Sequence, residues 1–186
     1  MKKGNIIFLN GVSSSGKTTL AKALQKRLEE PYHLFNVDAF AGGMVDEEKL
    51  LSGTFGMDWF YKALSGFHHT IKLYSDMGIH IIVDHVMLKF NKAMPECVKL
   101  LHEYPVLLVH VICPLEELQH REKERGDRPV GLSESQLVDL EPQDTYDVVV
   151  DTYNNTQTGC VNKIIMALDS FEGITAFNKL WLQQQS

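Results

Sequence analysis

Gly11-Val12-Ser13-Ser14-Ser15-Gly16-Lys17-Thr18 matches the pattern G-x-x-x-x-G-K-[ST] at every position. Each residue type in that pattern has a physical task. The two glycines let the backbone turn sharply and approach a ligand with no Cβ in the way. The backbone N–H groups of the loop converge on phosphate oxygens, backed by the positive end of the helix that follows. Lys17 adds a point charge near the β- and γ-phosphates, and the Thr18 hydroxyl is placed to ligate Mg²⁺. All eight residues are therefore expected to hold the phosphates of a nucleotide. The loop follows the apolar run Ile6-Ile7-Phe8-Leu9 and precedes the helix-like stretch Thr19-Leu20-Ala21-Lys22-Ala23-Leu24. That is the strand–loop–helix setting the pattern requires.

Working outward, apolar runs alternate with helical patterns. Strands are expected over Asn5–Leu9, His33–Val37, Ile79–Val83, Val106–Ile112 and Val148–Val150. Helices are expected near Lys17–Glu29, Asp58–Met77, Asn91–His102, Leu115–Arg125, Val161–Asp169 and Thr175–Gln183. The strand runs are nearly continuous Val, Ile and Leu, as in a parallel sheet covered on both faces. The β-α-β-α order gives a three-layer α/β domain with a mostly parallel five-stranded sheet. Two stretches read as irregular: 126–145, polar with two prolines, and 41–56, with four glycines. Loops this long in a compact domain usually serve as lids or binding loops.

The composition narrows the function classes. With 186 residues the chain is long enough for one domain with a real core, expected over 1–186, with a helical tail at about 171–186. A net charge of −6 argues against a broad nucleic-acid surface. Cys97, Cys113 and Cys160 make neither a zinc spacing nor an even disulfide framework, so a reducing, cytoplasmic setting is expected. The start, Met1-Lys2-Lys3-Gly4, leads through a short apolar run directly into the phosphate loop and reads as a first strand, not a signal peptide. No run approaches membrane-spanning length.

Three constellations carry further chemistry. Asp38 follows Phe35-Asn36-Val37 at the expected end of the second strand, on the side of an α/β sheet where ligands bind. It is read as the general base that accepts the proton of an attacking hydroxyl, with capping of the next turn as the alternative. Asp84 ends the apolar strand Ile79-His80-Ile81-Ile82-Val83 and is read, with Thr18, as a Mg²⁺ ligand. Arg121, Arg125 and Arg128 lie in Arg121-Glu122-Lys123-Glu124-Arg125-Gly126-Asp127-Arg128. The first two share a helix face, Gly126 ends the helix, and Arg128 projects beyond it. Guanidinium groups stabilise charge on a transferred phosphoryl group, so Arg125 and Arg128 are assigned to a lid over about 121–145, whereas Arg121 is open between that role and a solvated Glu–Arg pair. Phe40, Met44, Phe55, Met57, Trp59 and Phe60 are read chiefly as core, with a pocket for a partly apolar acceptor as the alternative.

With these residues in hand, the chain resembles the chloramphenicol phosphotransferase family of P-loop kinases from about Asn5 to Asp169. The resemblance rests on Ile-Ile-Phe-Leu-Asn-Gly before Ser-Ser-Ser-Gly-Lys-Thr, then Val37-Asp38 and Ile81-Ile82-Val83-Asp84. It continues with Arg125-Gly126-Asp127-Arg128, Gly131, Gln136 and Tyr146-Asp147-Val148-Val149-Val150-Asp151-Thr152. It implies a P-loop NTPase fold of the nucleoside/adenylate-kinase kind. It also implies an ATP- and Mg²⁺-dependent kinase acting on a hydroxyl of a small molecule, with Asp38 as base and the arginine segment as lid. The expected catalytic set is Asp38, Lys17, Arg125 and Arg128. Two positions depart from the family pattern: His85 stands where a second Asp is usual, and Glu141 where a His precedes the Tyr-Asp pair.

Other readings are a GTPase switch, a zeta-toxin-like kinase of a nucleotide sugar, and a nucleotide-binding regulatory module without turnover. The first lacks its base-reading motif: Asn91-Lys92, Asn162-Lys163 and Asn178-Lys179 are not followed by the required Asp. The expected partner is a small hydroxyl compound, with no nucleic acid and no membrane, and homo-oligomerisation is left open.

Overall fold

The run Ile6-Ile7-Phe8-Leu9-Asn10 forms the central strand β1, and every one of its residues is buried. The computed structural model describes residues 2–42, 56–89, 92–126, 130–140, 143–170 and 175–185. Four more strands are β2 (Tyr32–Asn36), β3 (His80–His85), β4 (Val106–Ile112) and β5 (Val148–Asp151). They form one sheet in the order β2-β3-β1-β4-β5, with every pairing parallel. Alternate residues of β1 serve opposite layers, as the two-residue period of a strand dictates. Ile6 and Phe8 face a core with Phe67, Ile71, Val98 and Phe177. Ile7 and Leu9 face another with Leu20, Leu24, Val161 and Ile164.

Helices supply the two covering layers. α1 (Lys17–Arg27) and α7 (Gln157–Asp169) cover one face of the sheet. The long α3 (Gly56–Asp76), α4 (Ala93–Leu101) and α8 (Ala176–Gln184) cover the other. Each fully buried aliphatic side chain contributes about 1.5–3 kcal/mol relative to exposure, so the continuous apolar strands fix this layering. The chain enters α8 through the Asp147 carboxylate, which accepts from the N–H groups of Leu108 and Ala176 at 2.8 and 2.7 Å. Among the described residues no helix is long and apolar enough to cross a membrane.

Expected and observed elements agree for β4 and for α5 (Leu115–Arg125) residue for residue. Two differences bear on the site. Strand β2 stops at Asn36, and Asp38 lies in the first turn of a short helix, α2 (Val37–Gly42), not at a strand end. The cause is Asn36, whose Oδ1 accepts the Ala39 N–H at 2.8 Å and starts the helix. The stretch 126–145, expected to be irregular, holds α6 (Leu132–Leu137) and a 3₁₀ turn at Gln143–Thr145.

Buried histidines give the fold a pH dependence. His110 on β4 is stacked on Tyr146 at 4.2 Å between ring centroids, and burial pushes its pKa down to about 4. Burial also lowers His68 and, further, His85, which meet through their Nε2 atoms at 3.0 Å. A histidine depressed in the folded state contributes stability above its unfolded value of 6.5, and that stability is lost as pH falls toward the folded value. Denaturant melts should therefore show stability falling between pH 6.5 and about 4. In His110→Phe, which keeps a ring on Tyr146 but cannot titrate, the slope should be shallower by up to ~1.4 kcal/mol per pH unit. An unchanged slope would show that His110 is already solvated.

Candidate active site

Parallel strands all end at one edge of the sheet, and there a cleft of about 380 Å³ opens. Its floor is the phosphate loop and the start of α1: Ser13, Ser14, Gly16, Lys17 and Thr18. One side is Asn36, Asp38, Asp84 and Val86; the other is Arg121, Arg125, Thr152, Asn155 and Gln157. The volume falls in the range of small-ligand sites, about 300–1,000 Å³.

The loop's two glycines have different structural reasons. A Cβ on Gly11 would stand 2.4 Å from the Val111 carbonyl oxygen, so glycine lets the loop leave closely against β4, a reason the sequence reading did not give. Gly16 has φ +92°, which favours glycine. Ser14 holds φ 61° with a side chain, a strained state of the kind concentrated at ligand-binding loops. The hydroxyls of Ser13, Ser14 and Ser15 are buried with no hydrogen-bond partner among the described residues. α1 starts with no side-chain cap and no acidic residue in its first turn. Its positive end is left for an anion.

Lys17 is only 7% exposed and donates through Nζ to the Val12 carbonyl at 2.8 Å. Thr18 Oγ1 donates to Asp84 Oδ2 at 2.6 Å, and Asn36 Nδ2 donates to the same oxygen at 2.7 Å. The Asp84 carboxylate is thus 3% exposed and held by two neutral groups. A buried carboxylate beside a hydroxyl oxygen fits a hard cation such as Mg²⁺. Asp38 is exposed on the same side of the cleft, and the bond that caps α2 is made by Asn36. His85 points to the opposite face of the sheet, stacked against Phe8 and His68.

Arg121 holds the loop. Its Nε donates to Glu117 at 2.8 Å, its Nη1 to the Ser14 carbonyl at 3.4 Å and the Thr152 hydroxyl at 3.2 Å, and its Nη2 to the Thr152 carbonyl at 3.4 Å. Thr152 Oγ1 in turn donates to the Ser15 carbonyl at 2.7 Å. The solvated-pair alternative for Arg121 therefore gives way to a clamp between α5, the loop and the end of β5. Arg125, the last residue of α5, lines the cleft, and Gly126 ends the helix with φ 64°. Arg128 and Glu141 lie outside the described residues. So do Met44 and Phe55, whereas Phe40 and Phe60 pack against the core.

Helix α6 returns the chain to the loop. The Glu122 carboxylate accepts the N–H groups of Gly131 at 3.0 Å and Ser133 at 2.6 Å, capping the start of α6. Burial pushes the Glu122 pKa up, and these bonds outweigh it, leaving it below the ordinary carboxylate value. Near the other end of α6, Gln136 Oε1 accepts the Ser13 N–H at 2.7 Å. Gln136 and Thr152 were given no role by sequence reasoning because their partners stand far away along the chain, and Asn36, whose bond to Ala39 is local, was absorbed into the expected strand.

A family model described as chloramphenicol phosphotransferase-like protein matches residues 4–169. The chain belongs to that family. A Mycobacterium tuberculosis relative provisionally named an O-phosphotransferase is 28% identical over 173 residues, covering 82% of this chain and 76% of the relative. The adenylyl-sulfate kinase of Clostridium acetobutylicum is 26% identical over 175 residues, covering 88% of this chain and 82% of that enzyme. The Mycobacterium tuberculosis APS kinase, solved with AMPPNP and APS, superposes with a TM-score of 0.65 at 17% identity, over 91% of this chain and 99% of that one. The last likeness shows the fold, that of a P-loop kinase.

Proposed function

We propose that this chain is an ATP-dependent kinase that transfers the γ-phosphoryl group to a hydroxyl of a small molecule, with the primary hydroxyl of chloramphenicol as the first candidate acceptor. The observation that carries the reading is the Thr18–Asp84 contact at 2.6 Å beneath a complete phosphate loop, with Asp38 on the same cleft. Lys17 and loop N–H groups other than that of Ser13, which Gln136 holds, bind the phosphates, and Arg125 stands at the rim for charge on the transferred group. Thr18 and Asp84 are the residues that would hold Mg²⁺. Bound there, the ion supplies charge neutralisation on the phosphates. Asp38 accepts the acceptor's hydroxyl proton as that oxygen bonds to the γ-phosphorus. The bond from the γ-phosphorus to ADP breaks, and ADP leaves with the electron pair. Little covalent chemistry is asked of the protein, because positioning and electrostatics dominate phosphoryl transfer.

Incubation of the protein with ATP, Mg²⁺ and a panel of small hydroxyl compounds, chloramphenicol first, tests the reading. The expected products are ADP and one phosphate monoester in equal amounts, seen by mass spectrometry and abolished by a chelator. Tight nucleotide binding with no acceptor-dependent ADP release across the panel would point instead to a nucleotide-binding module.

A further inference from the structure

Arg125 ends helix α5, beyond the clamp that Arg121 makes on the phosphate loop. Its position over a bound phosphate depends on what holds the hairpin made by α5 and α6. Six residues are far too few for α6 to persist as an isolated helix. Its place comes from ties at both ends. Glu122, wholly buried, caps its start, and the Gln136 side chain reaches the loop itself by accepting the Ser13 N–H at 2.7 Å. Leu140 then packs on Val12, Cys113 and Leu118, and Asp139 O accepts the Lys89 N–H at 3.0 Å.

We propose that Gln136 is a positioning residue that locks the α5–α6 hairpin to the phosphate loop through Ser13, so that Arg125 stands over the phosphoryl group being transferred. The inference rests on the kinase reading above. The residue type supports it. A bond to the Ser13 N–H needs an acceptor, which Lys and Arg lack. A carboxylate there would set a negative charge against a loop built for phosphates. A neutral amide accepts the bond without that repulsion.

The test uses ADP alone and ADP with aluminium fluoride, which mimics the phosphoryl group in transfer, so no acceptor is needed. Calorimetry on the wild type should give tighter binding with the fluoride. In Gln136→Leu, ADP affinity should stay within about threefold while the fluoride gain falls about tenfold, the size of one lost charge-assisted contact. Retained ADP binding shows that the variant is folded. In an Arg125→Ala background the same change should have no further effect, which a merely structural role for Gln136 would not produce. Gln136→Glu should instead weaken ADP binding itself.

A Gln136→Leu protein that keeps the whole gain, or loses it equally without Arg125, overturns the positioning role and leaves the kinase reading intact. Unchanged ADP affinity in Gln136→Glu overturns the argument from residue type. A wild type that binds ADP but gains nothing from the fluoride overturns this inference, and the transfer reading is decided separately by the acceptor assay.

Discussion

Lys17→Ala is expected to lower turnover about 10²–10³-fold, the size typical of removing one preorganised donor from a site of charge development. Nucleotide affinity should fall with it. The reason is the burial of the residue: at 7% exposure Lys17 works in a medium that screens poorly, so its attraction for phosphate exceeds that of a surface lysine. Nζ rests on the Val12 carbonyl, so the charge is held inside the loop proposed to bind the phosphates. Lys17→Arg should not restore activity, because a planar guanidinium is bulkier than an ammonium and does not fit a slot this closed. Calorimetry with a non-hydrolysable ATP analogue and a turnover assay check the pair of effects. Unchanged affinity together with unchanged turnover would remove the loop from the nucleotide site.

What the sequence made legible was the chemistry carried by neighbouring residues. The phosphate loop, the strand before it and the helix after it are contiguous, so one reading frame holds the whole argument. Asp84 was legible because four apolar residues led to it, and the structure sets it 2.6 Å from Thr18. Asp38 was read at a strand end, but two residues earlier Asn36 stops the strand with its own side chain and turns the backbone into α2. That signal was present, an Asn just before a helix start, but it was absorbed into an apparent strand. Helix α6 could not be read at all. Its six residues show no periodicity, its start is capped by a carboxylate from α5, and its tie to the phosphate loop spans 123 positions of sequence. The ties of Arg121 to Ser14 and Thr152, 107 and 31 positions away, were equally hidden, whereas its pair with Glu117, four residues back, is of the kind the sequence offered. A side chain whose partner lies that far off leaves no local pattern, and only the folded chain brings the two together.

Asp38→Asn is expected to lower turnover by about 10²–10⁴-fold, the usual contribution of general-base catalysis. The substitution keeps the shape of the side chain and removes its ability to take a proton. It should leave the fold intact, because Asp38 is exposed and Asn36, not Asp38, makes the bond that starts α2. It should leave nucleotide affinity nearly unchanged, because the phosphates are assigned to the loop, Lys17 and the Thr18–Asp84 pair, and Asp38 to the acceptor. That separation sets the measurement: kcat on a true acceptor, alongside the dissociation constant for a non-hydrolysable ATP analogue and a thermal melt. A fall in kcat with the other two steady supports the base. A fall in nucleotide affinity of the same size would move Asp38 to the metal and phosphate side of the cleft. Near-wild-type turnover would end the assignment and make Asp84 the carboxylate to examine next. Thr18 and Asn36 already donate to Asp84 Oδ2 and hold it toward the phosphate loop, whereas Asp38 is exposed on the cleft. This geometry is why the proton is given to Asp38 and the cation to Asp84.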